Sequence, residues 1–425
     1  MPSIRLFLSL LLMALLPFPG GCAKNSPAPS KTVITLWVSS NPYEIEWAGE
    51  VVRQWNNDHP DIQVKSQPVP EGRSSEEILM ASVIARTTPD ICANISPTLV
   101  EQFRRAKALV ALDSYPELMT ALKERVPEDS LREFVSPDSH LYQVPWKCNP
   151  ILMFCNMRIF RESGAVPPGT YSEWMKAAAA ITGSHKGVSM TFFDASVTWH
   201  KRFFDFYALY IAASGGHTLL DRQGMPSIDN DPALAVMSFL SENFRRGFAP
   251  LEITPGDPFL NERVAVNISG PWNVANLAVE GSAISYDVFP LPVPGERRKG
   301  ASHTFADPKC IGIFTTSRHP EACARFVEFM VNSKNDGLLV KKCCQLVYRR
   351  HIETSPDCAE AFSTYPVLKK FAHAVPGAHS IDQATRIMEI FDVLSMEYAD
   401  CAVRGIRTPR DALTRAEARM KELME

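Results

Sequence analysis

The sequence predicts an α/β fold divided between two domains, and three observations carry that prediction. The chain has 425 residues, and the roughly 400 that follow its leader exceed what one hydrophobic core normally organises. Short, continuous apolar runs suited to strands buried on both faces alternate with segments whose apolar residues recur every three or four positions, as helices require. That alternation repeats from the start of the mature chain, the rhythm of an open sheet with helices packed on it. Formal net charge is −3 with no block of Lys or Arg, which argues against a nucleic-acid partner.

The leader comes first. Arg5 precedes the apolar run Leu6 to Leu16, and Pro17 to Gly21 break it before Cys22. Residues 1–21 read as a secretory signal, too short to anchor stably in a bilayer. Gly20 and Gly21 ahead of Cys22 resemble a bacterial lipobox, which implies that Cys22 is lipidated and that residues 22–31 form a polar tether. Pro19 stands where that motif usually has an aliphatic residue, so an ordinary signal peptide with a coincidental cysteine is the alternative.

The mature chain opens on "TVITLWVSS", a strand buried on both faces. Trp47, Val51 and Trp55 then recur at helical spacing until Pro60. "IQVKSQPV" is a second strand. Ser74 and Glu77 form a capping-box signature for a helix carrying Ile78, Ala81 and Ala85, and "PDICANI" is a third strand. Open sheets of this kind bind ligands beyond the carboxyl ends of their strands, which directs attention to Ser39, Ser40, Asn41, Asn94 and Ser96. Further on, "LYQVPW" and "PILMFCN" read as strands, and Thr170 with Glu173 caps a helix. "TWHKRFFDFYALYIAASGG" reads as one long aromatic helix ended by Gly215 and Gly216. "NISGPWNVAN" raises its own question, because Gly270 and Pro271 fix a turn and a tryptophan follows at once. Such a turn holds the indole of Trp272 near a strand end, where a cleft is its neighbour. "YDVFPLPVPG" is a Pro-rich crossover, "CIGIFTT" a strand, Pro320 opens a helix, and Thr408 with Asp411 begins the last one.

Taken in order, "ITLWV", "VVRQWNNDHPDIQV", "ASVIARTTPDI", "HLYQVPW", "AASGGHTLLD", "FLNERVAVNISGPW" and "TPRDALTRAEARM" resemble the extracellular solute-binding proteins of ABC importers, in the family that includes maltose-binding protein. The resemblance implies a two-lobed, type II periplasmic-binding-protein fold with three crossovers, near 141–144, 301–304 and 350–353. It assigns 32–142 plus 304–350 to an N-terminal lobe and 146–300 plus 354–425 to a C-terminal lobe. It further implies a solute clamped between the lobes, ABC permease subunits as partners, a monomer, and a place on the periplasmic or cell-surface side of a bacterial membrane, anchored through Cys22.

A pyranose presents C–H groups on its faces and hydroxyls at its rim, so a sugar site needs aromatic platforms and polar rim groups together. The resemblance makes Trp272, with Gly270 beside it, the foremost site residue. Trp199 is a second aromatic, or it packs a helix end. Trp146 and Asn149 fall at the cleft floor after the first crossover, whereas Trp37 reads as core. Ser40, Asn41, Glu44, Glu71 and Asn94 meet hydroxyls or sit in solvated loops. Asn94 and Pro97 replace the tryptophan and aspartate that maltose-binding protein carries after "PDI", so the resemblance does not carry that protein's ligand over to this chain. Arg349, in "LVYRR", grips sugar hydroxyls or, with more energy, a phosphate. Hence the first reading is a sugar or oligosaccharide, and the alternative is a glycerol phosphate or glycerophosphodiester.

Enzyme signatures are lacking: there is no G-x-S-x-G elbow, H-E-x-x-H helix, Walker loop or G-x-G-x-x-G turn. The chain is read as a binding protein without cofactor. A secreted glycosidase stays as a lower alternative, because its carboxylates meet only in the folded chain; an adhesin or chemoreceptor partner is a third. Beyond Cys22 there remain Cys92, Cys148, Cys155, Cys310, Cys323, Cys343, Cys344, Cys358 and Cys401, an odd set that excludes complete pairing. They read as small buried apolar residues, and none has the spacing of a metal site.

Overall fold

The structure is a computed structural model that describes residues 31–72, 74–252, 255–279, 284–296, 302–382 and 384–424. The signal segment and Cys22 therefore lie outside the described residues. In chain order the strands are β1 (Thr32–Val38), β2 (Ile62–Pro68), β3 (Ile91–Ile95), β4 (Val144–Lys147), β5 (Leu152–Asn156), β6 (Ser189–Thr191), β7 (Val264–Ser269), β8 (Tyr286–Phe289), β9 (Thr304–Phe305), β10 (Lys309–Ile313) and β11 (Ala378–His379). One sheet has the order β2-β1-β3-β10-β4 and the other β6-β7-β5-β8, while β11 and β9 form a separate parallel pair. β1, β2 and β3 run parallel, and β10 runs antiparallel to β3 and β4.

Local chemistry explains the elements. Asn41 caps the helix Pro42–Asp58, its side chain accepting from the backbone N–H groups of Tyr43 and Glu44. That helix buries Trp47, Val51 and Trp55, and both indoles donate to backbone carbonyls, at Asn335 and Ile62. The reciprocal Thr170–Glu173 capping box starts the helix Tyr171–Ser184. At Ser74 only half of the expected box forms: Ser74 accepts from the Glu77 N–H, and the Glu77 carboxylate turns elsewhere. The long aromatic helix is also a correction. It is a 3₁₀ turn, Trp199–Phe203, followed by the helix Phe206–Ser214. Asp205 breaks it, because its carboxylate caps the N–H of Phe206 and pairs with the buried Arg202 at 3.0 Å.

Helices around the first sheet bury Leu36, Trp47, Phe326 and Leu339 in a core that continues through Trp146 to Phe154 and Val264. A second core gathers Met153, Trp174, Tyr207, Phe305 and Leu394. A third joins Trp37, Leu79, Leu99 and Phe103, so the reading of Trp37 as core holds. All nine cysteines from Cys92 onward are free and buried, and burial pushes the thiols of Cys92 and Cys344 up to about 12.

The strands mark two passages of the chain between the sheets: β4 leads to β5 through 148–151, and β8 leads to β10 by way of β9. Among the described residues no strand marks the third passage expected near 350–353. The passages lie side by side. Cys148 N–H donates to Leu346 O at 3.0 Å, Tyr348 N–H to Trp146 O at 3.0 Å, and Ile151 N–H to Phe305 O at 2.8 Å. Lys147 still pairs within the first sheet, whereas Phe305 sits in the second core, so both changes of sheet fall a few residues later than the expected boundaries at 146 and 304.

Candidate functional site

β7 ends at Ser269, Gly270 and Pro271 turn the chain, and Trp272 begins the helix Trp272–Val279. The indole folds back across its own turn: a Cβ built on Gly270 would lie 2.0 Å from a ring carbon of Trp272. Only glycine leaves room for the ring there, and that is why these three residues stand together. Trp272 is half-buried and meets Phe204 edge to face, with centroids 6.1 Å apart and planes at 86°.

From Trp272 a continuous series of ring contacts leads to the second predicted tryptophan. Phe204 meets Phe305 at 6.1 Å, Phe305 meets Phe203 at 5.7 Å, and Phe203 meets Trp199 at 5.5 Å. These tilted and edge-to-face arrangements are the favourable ones for aromatic quadrupoles. Trp199 Nε1–H donates to Glu77 Oε1 at 3.3 Å, which carries the aromatic wall to the first turn of the helix Ser75–Ala85.

That turn is charged. Lys309 Nζ stands 3.3 Å from Glu76 and 3.3 Å from Asp307. Burial works to lower the Lys309 pKa, but Asp307 and Glu76 outweigh it and hold the ammonium above its ordinary range. Burial likewise works to raise Glu76, and Lys309 outweighs it, keeping that carboxyl below its usual value. His200, next to Trp199, is lowered by burial and by Lys201, and its Nδ1 finds no partner among the described residues. Phe305, Phe203 and Trp199 are themselves buried in the second core, so the ring surface that stays accessible belongs to Trp272 and Phe204. The charges of Glu76, Asp307 and Lys309 lie beside Glu77 at the other end of the series. The described residues include no cluster of three metal-ligating side chains.

The other predicted residues are placed differently. Trp146 is fully buried and packs on Trp47 with centroids 5.2 Å apart, so it is core and offers no ring face to a solute. Asn149 is buried as a tie between passages, donating to Gln345 Oε1 at 3.2 Å and accepting from Leu346 N–H at 3.0 Å. Glu44 is buried and paired with Lys147 at 2.7 Å, and it also accepts from Gln345 and from the Ser39 N–H. Asn41 is a helix cap, Ser40 and Glu71 are exposed, and Asn94 is buried at the end of β3. Arg349 is committed elsewhere: it donates to Asp336 at 2.7 Å and to Val331 O at 2.9 Å, and the fully buried Arg125 holds the same carboxylate. An arginine bound in such a knot is not a free anion clamp.

Glu76, Glu77, Phe204, Asp307 and Lys309 escaped the sequence reading. Glu77 read as a cap because its spacing from Ser74 fits one. Lys309 opens a strand whose pattern speaks only of burial. Phe204 was hidden inside a run of aromatics.

The comparisons with known proteins agree with this architecture. Residues 41–336 match the bacterial extracellular solute-binding protein family. The chain is 23% identical over 244 residues to the arabinooligosaccharide-binding protein of Bacillus subtilis, 56% of this chain and 53% of that one, so it spans about half the length of that curated relative. The GacH receptor of Streptomyces glaucescens, solved unliganded and with acarbose, superposes with a TM-score of 0.78 at 19% identity, covering 92% of this chain and 98% of that one. The maltose-bound MalE3 of T. maritima gives a TM-score of 0.78 at 20% identity, covering 92% and 100%. At such identities the superpositions establish the fold, the two-lobed α/β architecture of maltose-binding-protein-like periplasmic binding proteins. The family match extends over well more than half of the chain and its fold is theirs: this protein belongs to the bacterial extracellular solute-binding proteins.

Proposed function

We propose that this protein captures a sugar or oligosaccharide between its two lobes and hands it, chemically unchanged, to the permease of an ABC importer. One observation carries the reading: the partly exposed rings of Trp272 and Phe204 begin an aromatic series whose far end, Trp199, hydrogen-bonds Glu77 next to the charges of Glu76, Asp307 and Lys309. Ring faces match the C–H faces of a pyranose, and carboxylates and an ammonium match its hydroxyl rim. The family consists of binding proteins, and the relatives named above bind saccharides. The proposal includes the two-lobe division given from the sequence, with its boundaries at 146 and 304 moved to the changes of sheet described above, a monomer, and attachment to the membrane through a lipid on Cys22. The glycerol-phosphate class loses its main support, since Arg349 is spent on Asp336.

A thermal-shift screen of the fragment from Ser30 onward, against mono- and oligosaccharides and glycerophosphodiesters, tests this directly. A solute bound only by the native state raises the melting temperature. Trp272→Ala is expected to abolish the shift while the variant still folds. A Trp272→Ala protein that responds to the same sugar as its parent does overturns the site assignment.

A further inference from the structure

Two elements flanking the first sheet reach across to the second lobe and touch it directly. Trp199 donates to Glu77 on the helix Ser75–Ala85. Gln102, on the helix Pro97–Arg105, donates to Thr385 O at 2.6 Å. Met388 packs against both the second and the third cores. All three contacts are made by the chain's own groups and join elements of the two lobes without any solute.

The Trp199–Glu77 pair has a further chemical property. An indole N–H only donates and an ionised carboxylate only accepts, whereas a hydroxyl does both. A single hydroxyl inserted between them satisfies both partners at once. An ammonium leaves the indole unpaired, and a phosphate or carboxylate oxygen meets Glu77 as a like charge.

We propose that the Trp199–Glu77 hydrogen bond is a latch that biases the lobes toward closure before solute arrives, and that an uncharged solute hydroxyl then takes over both of its partners. The second half rests on the saccharide reading above; the first half does not. A closed population that already exists raises apparent affinity in proportion to its fraction. Glu77 is then a solute-contacting residue, which explains why the second half of the capping box never forms at Ser74.

Small-angle X-ray scattering of the protein without added solute tests the latch. A compact chain of this length has a radius of gyration of about 22 Å, and opening the lobes increases it. The wild type is expected at the compact value. Glu77→Ala removes the acceptor and Trp199→Phe removes the donor but keeps a ring, so both are expected to expand. Glu77→Gln keeps a carbonyl acceptor and is expected to stay near wild type. Circular dichroism melts confirm that each variant is folded. The latch is refuted if the Ala and Phe variants scatter like the parent, or if the parent is already expanded. Maltotriose and arabinotriose melting shifts form the second arm. A scattering difference with no shift from either sugar keeps the latch and overturns the hydroxyl exchange, and a shift that Glu77→Ala leaves unchanged overturns it as well.

Discussion

Replacing Gly270 with alanine tests the geometry of the aromatic wall at its first member. The new methyl would sit 2.0 Å from the Trp272 ring, whereas ordinary contact begins near 3.4 Å, so the indole has to move by about 1.4 Å. It cannot do so freely, because it is half-buried against the second core and meets Phe204 edge to face. Overpacking of this kind costs about 1–3 kcal/mol, and disturbing one aromatic pair accounts for about 0.5–1.5 kcal/mol. We expect a loss of about 2 kcal/mol, which lowers the melting temperature by roughly 4–8 °C for lobes of this size. Any saccharide response weakens in parallel. The decisive comparison is a double-mutant cycle with Trp272→Ala, in which the alanine at 270 is expected to cost almost nothing once the ring is gone. Equal cost in both backgrounds, or a Gly270→Ala protein melting with its parent, refutes the account of the turn.

Arg125→Met leaves Asp336 buried with only Arg349 beside it, and urea denaturation is expected to report a loss of about 3–5 kcal/mol. Arg349→Ala is expected to lower stability while leaving a neutral sugar's affinity within about threefold, less than the roughly 1.4 kcal/mol of a tenfold change; a complete loss of binding would return Arg349 to the site. Trp146→Phe is expected to destabilise the fold without changing solute affinity, because its ring is core, and calorimetric titration separates the two. Burial pushes the Asp382 carboxyl from an ordinary 3.8 up to about 6. Its folded pKa lies above the unfolded one, so the native state binds the extra proton and gains stability as pH falls from about 6 toward 4. Asp382→Asn is expected to remove a gain on the order of 2–3 kcal/mol from the pH profile of urea midpoints, and identical profiles would refute the assignment.

How far the sequence could be read depended on the range of the interactions involved. The helix at Pro42, the capping box at Thr170 and the stop at Gly215 are decided within a few residues, and all were legible. Gly270–Pro271–Trp272 was legible as a turn with an indole held at a strand end, but the reason for the glycine emerged only with the ring folded over it. Trp146, Asn149, Glu44 and Arg349 were misplaced for a common reason: each finds its partner far along the chain, in Trp47, Gln345, Lys147 and Asp336. A polar residue near a strand end looks the same in one dimension whether it meets a solute or locks a passage. Glu77 was misread in the opposite direction, since its local cap was visible and Trp199, far away in the sequence, was not.

The nine unpaired thiols have a consequence for how such a chain is made. Once folded, each of these sulfurs is enclosed and held toward its protonated, unreactive form by burial, so the thiols of the finished molecule react little with oxidants around it. The nascent polypeptide enjoys no such shelter. In an oxidising medium any two of its nine thiols can form a bridge that the native state cannot accommodate, and yield becomes a race between collapse and cross-linking. Reductant supplied during refolding, and withdrawn afterwards, should therefore decide recovery far more than it decides the durability of what is recovered.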